Sequence, residues 1–82
     1  MWAESAIQEG KWTLALTYLK LIGNLTDRGY FLKGEAYFGL GEYEKAADAY
    51  LRSQMPVYDR LEKCYKELGD FEKAYRYACL GR

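Results

Sequence analysis

The sequence predicts an all-α fold, a solenoid of antiparallel helix hairpins with about six helices, and two observations predict it. The first is an internal repeat. Gly10-Lys11-Trp12-Thr13-Leu14-Ala15, Gly41-Glu42-Tyr43-Glu44-Lys45-Ala46 and Gly69-Asp70-Phe71-Glu72-Lys73-Ala74 each read glycine, polar, aromatic, two residues, alanine. The copies stand 31 and 28 residues apart, inside the window of roughly 20–50 residues that marks stacked supersecondary units. The second is the apolar spacing on either side of these glycines, which has a helical period.

The elements follow in order. A first helix over 2–9 carries Trp2, Ala3 and Ala6. Gly10 ends it, since glycine takes the left-handed conformation that closes a helix. The next, over 12–22, bears Trp12, Ala15, Leu16, Leu19 and Ile22 on one face and Leu14, Tyr18 and Leu21 on another. Two apolar faces predict a helix covered on both sides and more buried than the rest. Gly23-Asn24 stops it, Asn24 or Thr26 caps a third helix over 26–40, and Asp27 favours the positive end of that helix dipole. Tyr30, Gly34 and Tyr37 form its stripe. Gly34 costs about 1 kcal/mol of helix propensity against alanine, which a close helix crossing would explain.

The fourth helix, 42–54, aligns Tyr43, Ala46, Ala47 and Tyr50 at i, i+3, i+4, i+7. Pro56 suits a first turn and not an interior, so this helix stops near Ser53 or Gln54 and a fifth spans 56–68. Its stripe is Tyr58, Leu61, Glu62 and Tyr65. Glu62 stands where the central copy has Gly34, which predicts a splayed pair or a carboxylate reaching water. The sixth, 71–80, carries Phe71, Ala74, Tyr75 and Ala78. The connecting turns are short enough to force antiparallel neighbours.

A chain of 82 residues accommodates one small core, so residues 1–82 read as a single helical-repeat domain. Twelve basic and twelve acidic residues cancel, leaving no field to concentrate nucleic acid or anionic lipid. No apolar run approaches the roughly 20 residues that span a bilayer, and Glu4 sits where a signal peptide carries basic charge. A cytoplasmic protein with no membrane and no nucleic-acid partner is expected. Cys64 and Cys79 lie in separate helices without CxxC spacing, and histidine is absent. They are expected to pack reduced against neighbouring helices, with no metal and no cofactor. Ser5, Ser53 and Cys64 have no histidine base, and Glu42 and Glu44 belong to a first helical turn. Catalysis is not expected.

At these residues the chain resembles the tetratricopeptide repeat, whose helix–turn–helix unit of about 34 residues reads W-x₂-L-G-x₂-Y, then alanine, an aromatic and proline. In the central copy Tyr30 takes the tryptophan place, Gly34, Tyr37, Gly41, Tyr43, Ala46 and Tyr50 fit, and Lys33 replaces the leucine. In the last copy Tyr58, Leu61, Tyr65, Gly69, Phe71, Ala74 and Ala78 match, while Glu62 and Gly81 depart. The first copy enters with Trp2, Ala3 and Ala6. The resemblance spans the chain, as two and a half to three short repeats, and implies a right-handed solenoid.

It further implies a protein–protein interaction module whose concave groove, lined by the first helix of each pair, receives a peptide or partner helix. Arg28, Phe31, Glu35 and Phe38 would line it from the central repeat, and Asp59, Lys63 and Lys66 from the last. Phe31 and Phe38 are open to two readings: binding anchors in the groove, or packing under a neighbouring repeat. A clamp for a C-terminal carboxylate is not expected, since Lys63 alone falls at such a position while Leu32 and Asp59 occupy others. A structural alternative is a self-associating piece of a larger scaffold. The stripe runs through Tyr75, Ala78, Cys79 and Leu80 with no polar capping helix after it, which would leave an apolar end for a homo-oligomer.

Overall fold

The computed structural model describes residues 2–81, Trp2 by its backbone alone, so the packing of the Trp2 side chain lies outside the described residues. Among these residues there are six helices and no strand: α1 (Trp2–Gln8), α2 (Trp12–Ile22), α3 (Asp27–Gly39), α4 (Tyr43–Ser53), α5 (Tyr58–Glu67) and α6 (Phe71–Leu80). The fold is all-α. Helix ends fall within one or two residues of the positions expected, and Pro56 and Val57 lead into α5 without joining it.

The repeated segment is a turn with a fixed hydrogen-bond pattern. Gly10, Gly41 and Gly69 have φ of 77°, 79° and 81°, and a Cβ on any of them would meet nothing. Conformation, not crowding, selects glycine there. Each glycine N–H bonds the carbonyl three residues back, Ile7, Phe38 and Lys66, at 3.0, 3.1 and 3.1 Å. The next N–H, from Lys11, Glu42 or Asp70, reaches five residues back to Ala6, Tyr37 or Tyr65 at 2.8, 2.9 and 2.9 Å. This pair closes a helix in the Schellman manner. The polar residue then opens the following helix, its carbonyl accepting from Ala15, Ala46 or Ala74. Those alanines are 0%, 0% and 4% exposed, so the last letter of the motif is also its inward face. Between α2 and α3, where the motif is missing, Thr26 rather than Asn24 caps, its hydroxyl accepting from Gly29 N–H at 3.2 Å.

Every helix packs on its successor, and α1 also reaches α3. Ala3, Leu19 and Leu32 form one core cluster across α1, α2 and α3, with Ala6, Ala15 and Ala36 beside it. Ala46, Ala47, Tyr50, Leu61 and Cys64 form the other, across α4 and α5. The close crossing expected at Gly34 is present: a Cβ there would lie 2.6 Å from the Tyr50 ring. A second one was not anticipated. A Cβ on Gly39 would overlap the Trp12 indole, which lies across the end of α3.

Three expectations need correction. Helix α2 is not covered on two sides, for Leu14 and Leu21 are 40% and 78% exposed; among the described residues its main partners are α1 and α3. In α6, Phe71 and Tyr75 are 68% and 72% exposed, and Tyr77 turns inward instead, stacking on Tyr58 and Tyr65 with centroids 6.2 and 5.6 Å away. That stack holds α5 and α6 together, and Glu62 stays half-exposed without splaying the pair. Of the two cysteines, Cys64 is buried but Cys79 is exposed.

Candidate functional site

Phe31, Glu35 and Phe38 recur at i, i+4, i+7 on α3, so they share one face of that helix. Arg28 joins it a turn earlier. This face meets residues of α1 and α5. Arg28 Nε donates to Glu4 of α1 at 2.9 Å, and its guanidinium lies 5.8 Å from the Phe31 centroid. Arg60 of α5 repeats the arrangement two turns on, with Nε donating to Glu35 at 3.0 Å and the guanidinium 5.3 Å from the Phe38 ring. Each cation therefore has a carboxylate at its edge and an aromatic face beneath it.

Both phenylalanines are half-buried. Phe31 meets the Tyr50 ring at 6.0 Å and Phe38 meets Tyr43 edge-on at 5.6 Å, while each keeps part of its surface in solvent. Glu35 is the junction. Its side chain is 17% exposed, and Oε1 accepts from the buried Tyr50 hydroxyl at 2.8 Å as well as from Arg60. Two donors satisfy the carboxylate and tie α3, α4 and α5 at one atom.

Asp59, Lys63 and Lys66 are exposed on α5. Lys63 pairs within its own helix with Glu67 at 3.8 Å, and neither Asp59 nor Lys66 is in an ion pair among the described residues. The structure thus places four of the seven expected residues on one face, Arg28 against Phe31 and the others joined through Arg60 and Tyr50, and leaves these three as a separate row. None of the seven lines the three clefts described on the surface. Arg60, Glu4 and Tyr50 escaped the sequence reading. Their partners are 25, 24 and 15 residues distant, so no local pattern announces them.

Burial also sets the proton affinities here. Desolvation pushes the Cys64 thiol up from 9.0 to about 11, and desolvation followed by the hydrogen bond to Glu35 pushes the Tyr50 phenol well above its usual 10.0. Arg60 is raised chiefly by its bond to Glu35. For Cys64 and Tyr50 the folded chain holds a proton that the unfolded chain releases earlier. Their stabilisation is complete below about pH 9 and declines as pH climbs, because the unfolded chain alone ionises first. The melting temperature should be level from pH 7 to 9 and fall between 9 and 11, with Tyr50→Phe shallower above pH 10. A level profile to pH 11 would mean that neither group is withheld from water.

Against these geometric features, no protein-family model, no curated protein and no solved structure matches the chain.

Proposed function

We propose that the chain is a protein–protein interaction module: a right-handed solenoid of tetratricopeptide type, cytoplasmic and without catalytic activity, which binds a peptide or partner helix across α1, α3 and α5. One observation supports this most. Residues from three non-consecutive helices, Glu4, Arg28–Phe38 and Arg60, meet as a row in which half-exposed aromatic rings alternate with guanidinium groups held in place by acids. Arginine and aromatic side chains immobilised beforehand lose little entropy on binding and are frequent energetic anchors. Asp59, Lys63 and Lys66 would extend the surface along α5. The packing order, each helix on its successor with α1 reaching α3, is compatible with stacked hairpins and supports this reading.

The test uses a peptide selected from a random library on the immobilised chain. Its addition should shift the amide resonances of Phe31, Glu35, Phe38 and Arg60, and Arg28→Ala with Arg60→Ala should weaken it at least ten-fold. Shifts confined to other helices would overturn the assignment. Phe31→Ala is a poorer probe, because it also removes packing from Tyr50.

A second reading, self-association through α6, is favoured by the exposure of Phe71 and Tyr75. It predicts a protomer–dimer equilibrium in sedimentation that Tyr75→Glu abolishes. A single species at all concentrations would remove it.

A further inference from the structure

Helix α3 has a second face partly open to solvent, at Tyr30, Lys33 and Tyr37. At 3.6 residues per turn, Tyr30, Lys33 and Tyr37 point roughly opposite to Phe31, Glu35 and Phe38. There α2 and α4 each pack on α3 but share no substantial contact with one another, so a trough lies between them with α3 as its floor. On the α2 side it forms a cleft of about 530 Å³ lined by Leu16, Leu19, Leu25, Thr13, Lys20 and Lys33, among others, and by no Asp or Glu. That is the size of a ligand cleft.

The charge balance of this cleft is unlike the rest of the surface. Eight ion pairs, Lys11–Glu9 through Arg76–Glu72, engage the other basic side chains, and only Lys20, Lys33 and Lys66 are in none among the described residues. Two of those three line this one cleft. Lys33 is also the residue that departs from the repeat in the central copy. The matching place in the last copy, 28 residues on, is Leu61, which is 2% exposed in the core. In the central copy a half-buried lysine opens onto leucine side chains instead. An ammonium in that setting gains a charge-assisted bond from any oxyanion that reaches it.

We propose that this cleft binds an oxyanion of a partner peptide, a carboxylate or a phosphate, carried beside an aliphatic side chain. Lys20 and Lys33 hold the anion, and the half-buried Leu16 and Leu25 take the aliphatic group. An extended ligand fits better than a compact one, because the cleft runs on into a neighbouring depression of about 900 Å³ through shared walls at Lys33 and Tyr37. That neighbour is lined by Glu42, Glu44, Asp48 and Asp70 as well as by Lys45, Arg52 and Lys73, whereas the α2 cleft has lysines and no acid, which sets the anionic end of the peptide at α2. This site is independent of the Phe31–Phe38 face.

Fluorescence anisotropy with labelled hexapeptides decides it: one alternates leucine with glutamate, one replaces each glutamate by glutamine, and one replaces each by phosphoserine. At low salt the glutamate or phosphoserine peptide should bind at least ten-fold tighter than the glutamine peptide, and whichever binds more tightly identifies the anion. Lys20→Gln with Lys33→Gln should remove that preference, and Arg28→Ala with Arg60→Ala should leave it intact. Equal binding of all three peptides, or a preference that survives the lysine changes, overturns the proposal. Should the double variant melt early, Lys20→Gln alone, at an exposed position, gives the deciding measurement.

Discussion

Replacement of Tyr50 by alanine should remove a large part of the chain's stability at 25 °C, whereas phenylalanine at the same position should weaken it far less. The tyrosine is 0% exposed. Its ring fills the space above Gly34 and faces Phe31, and its hydroxyl donates to Glu35. Removing a buried aromatic side chain costs about 3–5 kcal/mol. A domain of this length has a total stability of roughly 4–12 kcal/mol at the usual 0.05–0.15 kcal/mol per residue. The loss matches the whole margin at the low end of that range and is a large share of it at the high end. Phenylalanine keeps the ring and deletes one donor, at about 1–2 kcal/mol, because Arg60 still satisfies Glu35. Urea unfolding followed by circular dichroism measures both. An alanine variant within 1 kcal/mol of the parent, as an order of magnitude, would show that the central cluster does not depend on this ring.

The fold was legible wherever its cause is local. The glycine turns could be read because a left-handed residue, a polar cap and an inward alanine must occur at fixed offsets, and Gly10, Gly41 and Gly69 carry all three. Helix faces were legible only where a neighbour exists to cover them. Leu14 and Leu21 have the same period as Ala15 and Leu19, yet α2 receives partners on one side alone. Phe71 and Tyr77 on α6 look alike as letters, and the turn geometry before Phe71 decides which points inward. Sequence spacing gives phase, not occupancy.

The candidate site divides along the same line. Its α3 row follows from helical spacing, and Phe31, Glu35 and Phe38 are adjacent as expected. Arg60 does not follow, since its link to Glu35 spans 25 residues and depends on how far the shortened repeat rotates α5 over α3. Lys33 was visible as an irregularity in the repeat. Its meaning required the gap between α2 and α4, which no single helix encodes.

The sharpest test of how closely those helices approach is Gly34→Ala. At an uncrowded helical position this change stabilises by about 1 kcal/mol, through propensity alone. Here the added Cβ would lie 2.6 Å from two carbons of the Tyr50 ring and 3.0 Å from a third. The ring has no room to retreat, being fully buried and anchored at its hydroxyl, so α3 and α4 must spread. Overpacking of this kind costs about 1–3 kcal/mol, enough to reverse the sign. A net loss of up to about 2 kcal/mol is therefore expected. In a Tyr50→Leu background the same substitution should cost less or become stabilising, and the difference measures the coupling directly. If Gly34→Ala raises stability in the parent chain, α3 and α4 sit further apart than the contact requires. The junction at Glu35 would then lack the rigid support on which both faces of α3 rely.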